Sequence, residues 1–169
     1  MGYEIVAIDE VSFQLTTNYK RIWFEKGKKP KGAFFWSNKK LITFAALTNS
    51  HKFYYDFYDA QNSITFLNFL RNLFDWLSPD KNYVLILDNA GWHKTQVIRK
   101  FMEQQSNIKV EFIPPYSPEL NPIETCWKVS RSAVTKSQYF KTIEEMQEAL
   151  ENFWCKHFFM QDFISYLCR

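Results

Sequence analysis

Two short apolar runs, each followed directly by an aspartate, constrain the fold of this chain more than any other feature. Residues 5–8 run into Asp9, and residues 83–87 run into Asp88. The second run is apolar throughout, which is typical of a central strand covered on both faces. Ligands bind outside the carboxyl ends of parallel strands, so Asp9 and Asp88 would converge at one edge of a sheet if these strands are neighbours.

The segment between the two runs predicts antiparallel strands followed by a helix. Residues 11–58 are rich in Phe, Tyr, Thr and Val and contain turn signals, which indicates two or three antiparallel strands. Asn62 or Ser63 then caps a helix whose apolar positions follow helical spacing, and Pro79 lies beyond its end.

The second half of the chain alternates between helix and strand. A second helix is predicted around residues 97–102, a half-exposed strand over residues 108–112, and a last helix that starts at Thr142. This order of elements, in which strands come first and helices and strands then alternate, predicts an α/β fold with a mixed sheet covered by helices. A chain of 169 residues without repeats or linkers is expected to form one domain, residues 1–169.

Composition excludes several classes of protein. The chain is 46% hydrophobic and 23% charged, which is typical of globular domains. Its three cysteines lie far apart, which argues against a disulfide scaffold or a zinc ribbon, and Cys126 is interpreted as a buried thiol. With neither a membrane-spanning segment nor a signal peptide in the sequence, we expect a cytoplasmic protein with no membrane partner.

Two converging carboxylates predict a metal site. Carboxylates held close together repel each other, and one stays protonated unless a divalent cation neutralises them. Oxygen ligands of this kind suit Mg²⁺ or Mn²⁺. Each acid also has a simpler explanation, because Asp9 could lie in a turn and Asp88 could cap a helix. Glu124 could complete a capping box with Asn121, with Pro122 as the first helical residue.

Three longer motifs surround the acids. Residues 7–10 read Ala-Ile-Asp-Glu, residues 87–94 read Leu-Asp-Asn-Ala-Gly-Trp-His-Lys, and residues 114–124 read Pro-Pro-Tyr-Ser-Pro-Glu-Leu-Asn-Pro-Ile-Glu. With these motifs the chain resembles, over essentially its whole length, the catalytic domain of DDE transposases. The resemblance is to the bacterial and archaeal insertion-sequence branch of the mariner superfamily. The 35 residues between Asp88 and Glu124 lie within the usual range of that family.

The resemblance implies an RNase H-like fold, with a mixed five-stranded sheet flanked by helices. It implies that Asp9, Asp88 and Glu124 are the catalytic acids and the ligands of two Mg²⁺ or Mn²⁺ ions. Asp9 is assigned rather than Glu10 because the first acid of the family follows the apolar strand directly. Neighbours on a strand also point to opposite faces, so Glu10 is expected to be a surface residue at the strand end.

Three further polar residues are candidates for supporting the site. His93 matches a position often occupied by histidine in the family and could touch a phosphate or orient a ligand, and a capping or surface role is equally supported. Asn89 could bond a metal-bound water or fix the turn, and we favour the turn. Asn121 is a third candidate, whereas Trp127 is expected in the core.

The function implied by the resemblance is metal-dependent hydrolysis of phosphodiester bonds at transposon DNA ends. Strand transfer of the freed 3′-OH into target DNA follows, at TA dinucleotides. The expected partners are double-stranded DNA and a second copy of the chain, in a prokaryotic cell and associated with the nucleoid. Two alternatives are a catalytically silent remnant that binds DNA or another partner, and an RNase H-like nuclease.

One departure from the family concerns its N-terminal region. Family members usually carry helix-turn-helix modules before the catalytic domain, whereas Asp9 lies near the start of this sequence. We therefore expect a catalytic fragment, one half of a split reading frame, or a truncated remnant.

A basic stretch over residues 20–40 is the candidate DNA-binding segment. It holds eight Lys or Arg residues against Glu25 alone, a local net charge of +7, with aromatic residues between them. Such a segment can neutralise phosphates and stack on bases, although a solvated hairpin with a lysine-rich edge is an equally good interpretation. The candidate contacts are Lys26, Lys28, Lys29, Lys31, Lys39 and Lys40.

Overall fold

A computed structural model describes residues 2–17, 23, 25–27, 36–136 and 138–167. The strands of this described part are β1 (Tyr3–Gln14), β2 (Lys40–Thr48), β3 (Phe53–Tyr58), β4 (Asn82–Leu87) and β5 (Ile108–Phe112). They form one sheet in the order β3-β2-β1-β4-β5. The pairs β1–β2 and β2–β3 are antiparallel, and the pairs β1–β4 and β4–β5 are parallel. The predicted mixed five-stranded sheet is confirmed.

Helices cover both faces of the sheet and bury a separate core on each. They are α1 (Ser63–Trp76), α2 (Gln96–Glu103), α3 (Ile123–Ser130), α4 (Ile143–Trp154) and α5 (Phe163–Leu167). Side chains of α1 and α2 pack on one face, and side chains of α3, α4 and α5 pack on the other. Among the described residues, none of the helices combines the length and the apolar character needed to span a membrane.

Capping side chains fix where α1 and α4 begin. The Asn62 side-chain oxygen accepts hydrogen bonds from the backbone N–H groups of Ile64 at 2.9 Å and Thr65 at 3.0 Å, so Asn62 is the cap rather than Ser63. Thr142 caps α4 in the same way, because its hydroxyl accepts from the N–H of Glu145 at 3.2 Å. Both starts agree with the sequence prediction.

β1 is longer than its apolar run predicts. The strand continues past Asp9 to Gln14, because its second half pairs with β2 as far as Lys40. Asp9 therefore lies in the middle of a strand and not at its end. The parallel pairing of β1 with β4 stops where Ala7 lies opposite Ile86. Asp9 and Asp88 each follow two residues later, so the register alone places them at the same level of the sheet.

Candidate active site

The three predicted acids line one cavity of about 430 Å³. Asp9 comes from the middle of β1, Asp88 follows the last residue of β4, and Glu124 lies in the first turn of α3. Asn89, Asn121 and residues 113–118 complete the wall. The structure thus brings together side chains that are far apart in sequence, at the edge where β4 ends.

Asp9 is the most deeply buried of the three acids, with 8% of its surface exposed. One of its carboxylate oxygens accepts a hydrogen bond from the indole N–H of Trp127 at 2.9 Å. Burial, and then the nearby charges of Glu10 and Glu124, raise the pKa of Asp9 to about 8. At neutral pH this pKa favours the protonated, uncharged carboxyl group unless a positive charge lies nearby.

Trp127 was predicted to lie in the core, and it is only 1% exposed. Its hydrogen bond to Asp9 is a second role that the sequence reasoning missed. Two facts could have indicated it. Trp127 lies three residues after Glu124, on the same helix face, and a buried indole N–H requires an acceptor.

Only one of the two carboxylate oxygens of Asp88 takes part in the contacts with Ala90 and His93. Its Oδ1 accepts from the N–H of Ala90 at 2.9 Å and lies 2.8 Å from Nδ1 of His93. The hydrogen bond from His93 lowers the pKa of Asp88 below the usual value, although partial burial opposes this. Oδ2 takes part in neither contact, and the side chain is 42% exposed.

The prediction that Glu10 is a surface residue is wrong. Its side chain is 3% exposed, and Oε1 lies 2.7 Å from Nε2 of His93. The alternation along β1 does turn Glu10 away from the face of Asp9, but because β1 continues, that other face is covered by protein. The carboxylate therefore needs a buried partner, which His93 supplies.

His93 lies in the short helical turn Gly91–Lys94 and is only 2% exposed, so the surface interpretation of His93 is also wrong. Burial lowers the pKa of the imidazole, but hydrogen bonds to Asp88 and Glu10 outweigh this effect and raise it to about 9. Both ring nitrogens contact carboxylates, which favours the interpretation that His93 orients a ligand residue over a contact with phosphate.

The two asparagines tie loops to strands. The Asn89 amide donates to the carbonyl of Ile113 and its oxygen accepts from Lys94, so it joins the ends of β4 and β5. This agrees with a role in fixing the turn. Asn121 is 2% exposed and donates to the carbonyl of Ile8 at 3.2 Å, which anchors the start of α3 to β1.

The helix that carries Glu124 begins one residue later than predicted. Ile123, and not Pro122, is its first residue, so Glu124 occupies the second helical position. The N–H of Ile123 donates to the side-chain oxygen of Asn121 at 3.4 Å. Because Asn121 is also held by β1, this start is set by a tertiary contact as well as by this local hydrogen bond, and Pro122 at the N-cap position contributes no side-chain cap.

Tyr116 lies at the rim of the cavity, and the sequence reasoning did not single it out. Its side chain is fully exposed, at 100%. Its backbone has a φ of 58°, in the left-handed region that a bulky residue rarely adopts. Pro115 before it and Pro118 two residues beyond it restrict the loop, and strained residues of this kind cluster at functional sites.

The donor set fits a divalent cation. Three carboxylates line the cavity, and Mg²⁺ and Mn²⁺ prefer such oxygen ligands. Burial is the main cause of the raised pKa of Asp9, and repulsion by Glu10 and Glu124 adds to it; a bound cation would favour the charged carboxylate against both effects. Among the described residues, no group of three or more His, Cys, Asp or Glu side chains lies close enough together to hold a metal ion as the side chains stand. The acids share a cavity, and their role as metal ligands stays a prediction.

Only part of the basic stretch belongs to the described residues. Lys26, Lys39 and Lys40 are exposed, whereas Lys28, Lys29 and Lys31 lie outside the described residues. Lys40 pairs with Gln14, five residues beyond Asp9 on β1. At about 3.4 Å per residue, Gln14 and its partner Lys40 lie roughly 17 Å from Asp9, in the direction of the carboxyl end of β1.

A family model described as DDE superfamily endonuclease matches residues 4–147. The chain belongs to this family. A Sinorhizobium fredii protein, y4pE/y4sA, is 41% identical over 63 residues, which is 37% of this chain and 44% of the relative. The 39 kDa protein of insertion element IS630 from Shigella sonnei is 22% identical over 146 residues, 86% of this chain and 43% of the relative. The DDE chain thus spans less than half the length of these two relatives.

Solved structures of the Mos1 mariner transposase share the fold of this DDE family member. The pre-cleavage Mos1 transpososome matches with a TM-score of 0.75 and 20% identity, over 97% of this chain and 51% of the Mos1 chain. The Mos1 catalytic domain matches with a TM-score of 0.67 and 20% identity, over 97% and 74% of the two chains. The predicted RNase H-like architecture is confirmed by this likeness.

Metal binding should stabilise the folded chain. We expect millimolar Mg²⁺ or Mn²⁺ to raise the melting temperature, because a ligand that binds only the folded state stabilises it by mass action, by about 2.7 kcal/mol at 100 times its Kd. Differential scanning fluorimetry with and without EDTA measures the shift. The shift should disappear in Asp9→Ala, and an equal shift in that variant would contradict the metal site.

Without metal, Asp9 should make stability depend on pH. Its folded pKa of about 8 lies above the value of 3.8 for an unperturbed Asp, so the folded state binds the extra proton and stability falls as pH rises through this window. His93, with a raised pKa of about 9, adds a similar loss only above pH 6.5.

Urea unfolding of the wild type and of Asp9→Asn in EDTA, measured between pH 5 and 6.5, tests this pH dependence below the range in which His93 contributes. The free energy of unfolding of the wild type should fall relative to the variant by up to about 1.4 kcal/mol per pH unit, the limit for one proton. Parallel curves would show that Asp9 ionises normally in the folded protein.

Proposed function

We propose that this chain is the catalytic domain of a DDE transposase. It would hydrolyse phosphodiester bonds at the ends of a transposon and join the freed 3′-OH to target DNA. The observation that carries the proposal is the single cavity lined by Asp9, Asp88 and Glu124, in a chain of an endonuclease family. The names of the relatives agree, since one belongs to insertion element IS630 and the Mos1 structures are of a transposase.

We assign two Mg²⁺ or Mn²⁺ ions to the cavity, where the carboxylates of Asp9, Asp88 and Glu124 would hold them. Mos1 paired-end complexes with Mg and with Mn are among the similar solved structures. When bound, a metal pair supplies the charge that lowers the pKa of an attacking water or 3′-OH and stabilises the leaving oxygen.

The residues of the chain hold and orient the reacting groups. Trp127 fixes the carboxylate of Asp9 through a 2.9 Å hydrogen bond, and Asn121 anchors α3, which carries Glu124, to β1. Tyr116 offers an exposed aromatic face at the rim, on which a base can stack. The water or the DNA 3′-OH is the nucleophile, so the protein forms no covalent bond to DNA.

The partners follow from this chemistry. Double-stranded DNA is the substrate, both as transposon ends and as target, and a TA dinucleotide is the proposed target site. A homodimer that pairs two ends is proposed because similar solved structures include a Mos1 paired-end complex with a transposon end. We place the protein at the nucleoid of a prokaryotic cell, where its substrate lies.

Metal-dependent cleavage of DNA tests the proposal directly. We expect the chain to nick supercoiled plasmid in Mg²⁺ or Mn²⁺ and not in EDTA. Asp88→Asn should lower the nicking rate by at least about 100-fold, because the amide cannot replace an anionic ligand. Glu148→Gln, which changes an exposed carboxylate on α4, is the matched control and should keep the wild-type rate.

The same assay separates the alternatives. A silent remnant would bind DNA without any metal-dependent nicking, and an RNase H-like nuclease would cleave an RNA–DNA hybrid faster than duplex DNA. Either result would contradict the proposed function. Joining of a candidate element end to a plasmid would establish the strand-transfer step.

The exposed lysines at the start of β2 should contribute to DNA affinity through charge. We expect Lys39→Gln with Lys40→Gln to weaken duplex binding and to reduce the slope of log K against log salt by about 1 to 2, since each phosphate contact contributes about 0.9. Fluorescence anisotropy over a salt series measures both. An unchanged slope would favour the interpretation of these lysines as a solvated edge.

A further inference from the structure

We propose that Glu10 and His93 are positioning residues that hold the carboxylate of Asp88 in the cavity. The inference rests on the proposed function, because it assigns to Asp88 the role of metal ligand. It adds two residues that do not themselves line the cavity.

The three side chains form a continuous chain of short polar contacts. Glu10 Oε1 lies 2.7 Å from His93 Nε2, and His93 Nδ1 lies 2.8 Å from Asp88 Oδ1. The side chains of Glu10 and His93 are almost fully buried, at 3% and 0% exposure, whereas the Asp88 side chain is 42% exposed. Glu10 and His93 are therefore shielded from solvent, and of the three side chains only Asp88 lines the cavity.

The surroundings of the imidazole fix its orientation. The ring of His93 lies 4.2 Å from the ring of Phe66 in α1, between centroids. The Trp92 indole N–H adds a longer contact of 3.4 Å to the same oxygen of Glu10. Rotation of the imidazole would break both carboxylate contacts inside a packed core, so His93 has little freedom to turn.

Both nitrogens of the imidazole are engaged by carboxylates, which leaves neither to bind a metal or a phosphate. His93 can therefore act on the chemistry only through Asp88. Neighbouring residues of β1 point to opposite faces of the sheet. Asp9 faces the cavity directly, and Glu10, on the other face, contacts His93, which in turn contacts Asp88. Hydrogen-bond partners that orient a metal ligand typically change metal affinity or activity by about 10- to 100-fold when removed.

Mn²⁺ affinity of the full chain, measured by electron paramagnetic resonance of the free ion, tests the proposal. We expect His93→Leu and Glu10→Leu to weaken Mn²⁺ binding by about 10- to 100-fold. Glu10→Gln keeps an oxygen that can accept from Nε2 and should recover most of the affinity. His157→Gln, at an exposed histidine, is the matched control and should bind as the wild type does.

A double-mutant cycle shows whether the effect passes through Asp88. In an Asp88→Asn background, Glu10→Leu should cause little further loss of Mn²⁺ affinity, because the carboxylate that it positions is gone. A merely structural role would instead lower the melting temperature equally in both backgrounds and leave the Mn²⁺ affinity of the folded protein unchanged.

Two results would overturn the proposal. One is wild-type Mn²⁺ affinity in folded Glu10→Leu, which decides the matter even if His93→Leu does not fold. The other is a loss of affinity of equal size with and without Asp88. If the wild type itself bound no Mn²⁺, the proposed function would fail together with this inference, whereas normal wild-type binding with unaffected variants would remove this inference alone.

Discussion

The parallel register between β1 and β4 is the constraint on which the rest of this structure depends. Their pairing stops with Ala7 opposite Ile86, and the chain places one aspartate two residues after each. No loop has to close to bring Asp9 and Asp88 together, because sheet hydrogen bonds already do so. Asn121 extends the same principle to the third acid, since its bond to the carbonyl of Ile8 ties the start of α3 to β1.

The cost of this arrangement is electrostatic. Four acids, Asp9, Glu10, Asp88 and Glu124, lie around the middle of β1 and the end of β4, and the raised pKa of Asp9 reflects its burial and then its acidic neighbours. His93 offsets part of this charge, since its raised pKa favours an imidazolium between Glu10 and Asp88. His93 thus neutralises one side of the cluster, and the proposed metal ions would neutralise the side of Asp9 and Glu124.

The elements that follow local rules could be predicted from the sequence, including β4 and the capped starts of α1 and α4. The length of β1 could not, since nothing local shows that β2 pairs with it as far as Gln14. That omission caused the error at Glu10: beyond a strand end the side chain would be solvated, whereas within a covered strand it needs His93. The contact of Trp127 with Asp9 spans 118 positions and depends on how α3 packs, which periodicity does not reveal.

The most direct test of the central claim is a crystal structure of the chain soaked with Mn²⁺, with the ions located by anomalous scattering. We predict manganese in the cavity, with oxygen atoms of Asp9, Asp88 and Glu124 all at about 2.2 Å from an ion, near the distances typical of small divalent cations. Manganese bound elsewhere on the surface, or bound in the cavity with one of the three carboxylates turned away, would contradict it.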